Sequence, residues 1–235
     1  MDRFTMAETL VARARKHAIW IGDDHGDPYE VAMLAGEVGT EMQVTAKEIL
    51  DHLRAALDYC ARQVWQDISS APAGALIYFP IAREEARESD FASLMNGKMP
   101  GVPASSPEAL AAFASVQAFA DPKNVWLPEL ATLVNSAKHE HLQVAMVPEA
   151  LFHTRRDEHG ISWSSFEPGH GPKRHQSWMA LLPRPGGTPT HTIYEARYLV
   201  LSEINVELAH YLKEALAGVE GIIARCRTLV GRVVA

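Results

Sequence analysis

The sequence predicts an α+β fold in one domain: a helical part over about residues 1–143, antiparallel hairpins over about 144–203, and a long C-terminal helix over about 204–231. Three observations carry this reading. Apolar residues recur every three or four positions through much of the first part, the pattern of helices that bury one face. Beyond residue 144 the period drops to two, with turn residues between the alternating runs. The last segment returns to helical spacing, with Leu208, Leu212, Leu216, Val219, Ile222, Ile223, Cys226 and Val230 on one stripe. Helices grouped before strands argue for α+β rather than a repeating βαβ fold.

Thr5 and Glu8 stand at capping-box spacing, so a helix is expected over 6–20, with Leu10, Ala14, His17 and Ile21 in its stripe. "GDDHGDPYE" is rich in turn formers, and "YEVAMLAGEV" after it fits a short strand. Thr45 and Glu48 repeat the capping-box spacing and open a helix to about Ile68, whose stripe is Ile49, Leu50, Leu53, Leu57, Cys60, Val64 and Ile68. "ALIYFPI" reads as a strand stopped by Pro80, and "NGKMPGVPASSP" as a loop. Ser106 as cap and Pro107 at the first helical position begin a helix to about Phe119, because proline there loses no hydrogen bond. Another helix is expected over about 128–143. The runs "EALFHTRR" and "ISWSSF" flank "DEHG", and "SWMALLPR" and "HTIYEARYLVL" flank "PGGTP", giving two hairpins.

Composition narrows the function classes. A chain that is 47% hydrophobic and 22% charged has the balance of a folded globular protein. No run approaches the roughly 18 apolar residues of a membrane span, and "MDRFTMAETL" lacks the basic start and apolar stretch of a secretory signal, so a cytoplasmic protein without a membrane partner is expected. A formal charge of −7 makes broad nucleic-acid binding unfavourable, since that depends on clustered Lys and Arg displacing counterions. Cys60 and Cys226 sit on apolar helix faces and read as small hydrophobes.

The chemistry concentrates in "LVNSAKHEHL". On a helix, Leu130, Val134, Ala137 and His141 share an apolar face, Asn135 and Lys138 lie on its flank, and His139 points away. Alternate histidines on a helix diverge, so His139 and His141 do not readily grip one metal. The long helix carries a row of alternating charge, Lys47, Asp51, Arg54, Asp58 and Arg62. Lys47, Asp51 and Arg62 read as an intrahelical ladder, whereas Arg54 and Asp58 lie nearer the apolar stripe and can meet a neighbouring element. Asp58 is expected to meet Arg54 or Lys138, because an unpaired charge at the edge of packed stripes is costly.

His153, His159, His170, His175 and His191 fall in the hairpin region without the spacing of a zinc site, so no metal and no cofactor is expected. The basic, glycine-rich "FEPGHGPKRHQ" reads as an exposed, mobile connection. No GxSxG, GxxxxGK, GxGxxG or HExxH occurs, which removes the signatures of the commonest hydrolase, nucleotide and zinc-protease mechanisms.

Taken together, "LRAALDYC", "YFPI" and "LVNSAKHEHL" resemble, over about residues 45–145, a widespread group of uncharacterised bacterial proteins. That group carries a leucine-arginine-serine-alanine-leucine-aspartate-histidine helix, a phenylalanine-proline-isoleucine strand and an asparagine-x-aspartate-lysine-histidine-arginine helix. Arg54, Asp58, Phe79, Pro80, Asn135, Lys138 and His139 agree with the pattern, while Ala55, Tyr59, Ala137 and Glu140 depart from it. The resemblance implies a shared fold and a clustering of these segments. A helical polar cluster also resembles the HEPN class of ribonucleases, in which arginine and histidine with four to six residues between them cut RNA without a metal. Here Arg13 and His17, like Arg155 and His159, have only three residues between them, and Arg184 to His191 encloses "PGGTP".

These observations lead to a binding or accessory protein whose polar cluster, Arg54, Asp58, Asn135, Lys138 and His139, holds a small anionic or nucleotide-like ligand or faces a partner protein. One alternative is metal-independent RNA cleavage with His139 as general base and Arg54 or Lys138 stabilising the phosphorane. The other is a structural role for the cluster, with the hairpins or a homodimer interface as the working surface.

Overall fold

The structure, a computed structural model, describes residues 2–22, 31–32, 35–69, 74–139, 142–156, 162–168, 172–174, 180–183 and 191–233. The fold is α+β, as expected: helices, then an antiparallel sheet, then a long C-terminal helix. Its contacts group into two compact units, each assembled from segments distant in sequence: residues 1–17, 47–140 and 213–235 in one, and 18–46 and 141–212 in the other.

Helix α1 spans Arg3–Gly22. It starts earlier than the capping box implies because Asp2, not Thr5, caps it: the Asp2 carboxylate accepts the Phe4 amide at 3.1 Å. The buried stripe is therefore Phe4, Ala7, Val11, Ala14 and Ile21, with Val11 inside where Leu10 was expected. Helix α2 spans Thr40–Ile68, so the box at Thr45 and Glu48 lies inside it. Nothing between Thr40 and Val44 breaks a helix, and it runs back to Gly39, whose carbonyl accepts the Gln43 amide at 3.3 Å. Its predicted stripe is buried apart from Ile68. The strand expected over 29–38 does not form: Val31, Ala32 and Ala35 are helical, and Gly36, at φ +77°, donates to the Ala32 carbonyl as a helix terminator does.

Helix α3, Glu88–Lys98, was not foreseen, and with the single turn α4, Val102–Ser105, it replaces most of the loop expected over 96–107. Gly101 adopts φ +82° between them, and its amide donates to Asn96 at 3.1 Å. The Trp65 indole and Ser69 hydroxyl both donate to the Pro100 carbonyl, at 3.0 and 2.7 Å, tying the end of α2 to this turn. Helix α5, Pro107–Ala114, has the predicted cap, with Ser106 accepting the Ala109 amide at 3.1 Å, but ends before Phe119. A 3-10 turn over Pro122–Val125 leads into helix α6, Trp126–His139, shorter than expected at its C-terminus.

Both hairpins form. Strand β1, Val144–Arg156, pairs with β2, Ser162–Pro168, and β3, Ala180–Pro183, pairs with β4, His191–Leu201. All pairings are antiparallel in the order β2-β1-β4-β3, with the short β5, Val206–Glu207, added to β4. The β1–β4 register shifts between Pro148 and Ala150, beyond the end of β2, where a residue without an amide hydrogen is tolerated. His153 and His191 lie on β1 and β4; His159, His170 and His175 lie outside the described residues. Of "FEPGHGPKRHQ", Phe166–Pro168 belong to β2 and Pro172–Arg174 are described. The latter are no free connection: Pro172 is buried, Lys173 donates to Asn205, and Arg174 accepts from Glu207. The rest of that segment lies outside the described residues.

Helix α7 spans Leu208–Val233. Its predicted stripe is buried apart from the half-buried Val230, and Leu229 joins it. Glu207, 2% exposed, caps it by accepting the amides of Ala209 and His210 at 3.0 and 2.9 Å. Cys60 and Cys226 are free and buried, and burial pushes the Cys226 thiol up to about 12, so neither is a ready nucleophile. Among the described residues no helix is long and apolar enough to cross a membrane.

Gly218 lets α7 lie against the buried Trp126 of α6, since a Cβ on it would overlap the indole ring. Gly218→Ala should therefore lower stability by about 1–3 kcal/mol, against the roughly 0.5–1 kcal/mol that alanine ordinarily adds within a helix. Gly221→Ala, where a Cβ meets nothing within 4 Å, should raise it. Thermal melts of the two variants check this; equal gains would refute the packing.

Candidate functional site

The sequence-predicted cluster divides into two parts. On α2, Arg54 and Asp58 are four residues apart and pair at 3.0 Å, with side chains 20% and 26% exposed. Both bond to Phe79 of the segment 76–82, in which Leu76 and Tyr78 are exposed and Ile77 and Phe79 buried, an alternation that ends at the buried Pro80. This is the "ALIYFPI" segment predicted as a strand, but it joins no ladder among the described residues, and side chains take the place of a partner strand. Asp58 accepts the Phe79 amide at 2.8 Å, and Arg54 donates to the Phe79 carbonyl at 3.3 Å. Gln117, fully buried, accepts from the Ala82 amide at 2.9 Å and donates to the carbonyls of Pro80 and Phe113 at 3.1 and 3.0 Å. Sequence reasoning missed Gln117, since a lone glutamine past a helix end carries no periodic or motif signal.

Burial lifts the Asp58 carboxyl above its ordinary value, against the opposing pull of Arg54, the Phe79 amide and Lys138. Lys138 thus acts on Asp58 through space, while the close ion pair is with Arg54. On α6, Leu130, Val134 and Ala137 form the buried face as predicted, and Asn135 and Lys138 are exposed. His139 is the last residue of that helix; the expectations for its side chain and for His141 lie outside the described residues. The other predicted ladder pair, Lys47 with Asp51, is present at 2.7 Å.

A second polar cluster joins α1 to α2. His17 and His52 meet edge to face with ring centroids 5.9 Å apart, and His17 Nδ1 lies 3.4 Å from the Glu48 carboxylate. Both Nδ1 atoms are buried without a hydrogen-bond partner. The sequence places His17 in the stripe of α1 but offers no sign that His52 would meet it. Burial and the His17 ring hold the His52 imidazole below its ordinary value; Glu48 pulls it up, Arg13 pushes it down and Asp51 pulls it up. Among the described residues no group of three or more His, Cys, Asp or Glu side chains is arranged to hold a metal ion.

A third feature is a groove of about 380 Å³ between α5 and α7, bordered by Arg225 and Arg232. It adjoins a narrow apolar crevice against Phe79 and Phe113.

Because His52 has a depressed value in the folded state, the unfolded chain binds more protons as pH falls through the ordinary imidazole value of 6.5. The stability that neutral His52 contributes is thus present above that value and lost below it. Asp58, shifted the other way, has the opposite sign, but in the carboxylate range. Between about pH 7.5 and about pH 5.5 the melting temperature should therefore fall more for the wild type than for His52→Gln. Parallel slopes in the two proteins would remove the assignment.

No family model, no curated protein and no solved structure matches the chain.

Proposed function

We propose that the protein is a cytoplasmic, non-catalytic binding or accessory protein for a small anionic ligand, in which Arg54 and Asp58 belong to the scaffold and, among the described side chains of the cluster, the exposed Asn135 and Lys138 are placed to touch a ligand. One observation carries this reading. The Arg54 guanidinium and both oxygens of Asp58 are engaged with each other and with the backbone of Phe79. A group that stabilises developing charge must be free to aim at it, and a guanidinium held this way is not.

The ribonuclease alternative has weaker support for the same reason. It also lacks a base at the required interval: with four to six residues between them and Arg54 stand Tyr59, Cys60 and Ala61 in place of histidine. A homodimer remains compatible with the binding reading and adds nothing to it.

Two measurements test the proposal. Asp58→Ala leaves the Phe79 amide and the Arg54 guanidinium without a partner in a half-buried site, so it should cost about 2–3 kcal/mol. Asp58→Asn keeps an acceptor for the amide and should cost less. Arg54→Met combined with Asp58→Ala should cost less than the sum of the two single variants. In parallel, labelled RNA incubated with the wild type and a chelator should stay intact. Cleavage that disappears in His139→Ala would overturn the binding reading in favour of a nuclease.

A further inference from the structure

The groove between α5 and α7 has the features of a ligand site, and every one of them lies outside the Arg54–Asp58 cluster. Its volume, about 380 Å³, is in the range of roughly 300–1,000 Å³ that small-molecule sites occupy. Arg225 and Arg232 reach it from one helix, seven residues or two turns apart, so both guanidiniums border the same side. Arg225 is exposed yet fixed: it donates to the Ser115 hydroxyl at 3.1 Å, and that hydroxyl donates to the Ala112 carbonyl at 2.9 Å. Arg225 lines the groove, and among the described residues it has no carboxylate partner, so the rest of its planar fork of donors is not neutralised by an ion pair. Arg232 has one, Glu108, at 3.6 Å with both side chains more than half exposed, a contact too loose to hold it against a competing anion. Two cations and one acid leave the groove formally positive on a chain whose net charge is −7. The floor is apolar: Leu229 is buried, and the crevice it shares with the groove runs toward Phe79 and Phe113.

We infer that this groove binds a small organic anion with an apolar body, its carboxylate or phosphate monoester gripped by Arg225 and Arg232 and its hydrocarbon part laid on Leu229. A purely inorganic anion would leave the floor unused, and a neutral apolar molecule would leave the guanidiniums unpaired. The groove is a second anion site, apart from Asn135 and Lys138, and does not depend on the binding reading above.

Isothermal titration with 1-naphthyl phosphate, 1-naphthoate, inorganic phosphate and neutral 1-naphthol tests it. Saturable binding of at least one naphthyl anion is expected, weakened by added salt, with inorganic phosphate and naphthol at least about tenfold weaker. The preferred naphthyl anion tells carboxylate from phosphate monoester. Arg225→Gln with Arg232→Gln should lower that affinity at least about tenfold. Thr228→Trp, which fills the groove without altering its charge, should do the same. All three positions are exposed, so melting temperatures should hold. Failure of both naphthyl anions to saturate at millimolar concentration would overturn the inference. So would affinity undiminished in either variant, or inorganic phosphate binding as tightly as the naphthyl ester. None of these titrations bears on the RNA assay, so the groove can fail while the binding reading stands.

Discussion

The backbone of Phe79 is the point on which the helical unit depends. Residues 77–82 belong to no helix or strand, yet Ile77, Phe79 and Ala82 are each no more than 5% exposed. A chain there, in no ladder among the described residues, carries amides and carbonyls that must be satisfied or cost free energy. Asp58, Arg54 and Gln117 satisfy both groups of Phe79, the carbonyl of Pro80 and the amide of Ala82, and the Lys98 carbonyl takes the amide of Tyr78. The ion pair alone would contribute little at this exposure. Its larger effect is geometric, since a carboxylate and a guanidinium four residues apart on α2 present an acceptor and a donor at the spacing of one residue's amide and carbonyl. The cost is visible in the lifted affinity of Asp58 for its proton, which burial imposes and Arg54 offsets only in part.

How much of this was legible in the sequence follows from the range of the interactions. Helical and alternating periods are local, so α2, α7 and both hairpins could be read, as could the Ser106–Pro107 start of α5. Element ends could not, because caps compete. Asp2 outbid Thr5, Gly39 rather than Thr45 bounded α2, and the carboxylate that starts α7 belongs to a short strand residue, Glu207. The "ALIYFPI" segment has the expected alternation from Leu76 to Phe79 but forms no strand. Alternation reports which side chains are buried, not what satisfies the backbone between them. A strand proposed over 29–38 failed because short apolar runs fit helix and strand alike, and Gly36 ends a helix there.

The candidate cluster shows the same divide. Its residue types and spacing made Arg54 and Asp58 stand out, and they do meet, but spacing alone does not separate a ligand-binding pair from one that holds backbone. That distinction needs Asp58 and Phe79, 21 positions apart in the chain, to be brought together by folding. His52 and Gln117 were invisible for the complementary reason: their significance lies wholly in what they touch across 35 residues of chain in each case. The arginines of the groove look, in sequence, like the solvated side of α7, and only the wall contributed by α5 turns them into a concave surface.

Scaffold and groove are joined by an aromatic contact. The Phe79 ring, fixed in place because its own backbone is held by Arg54 and Asp58, packs on Phe113 with centroids 5.2 Å apart. Phe113 belongs to α5, the helix that forms one wall of the groove, and both rings line the crevice beside it together with Ile222 and Leu229 of α7. The two rings thus fill the space beneath the groove, and the backbone hydrogen bonds of Phe79 restrain where its ring enters that packing. A polar pair that makes no contact with the groove therefore holds the residue whose ring packs beneath it, while Ser115 and Glu108 of the facing wall hold the two arginines.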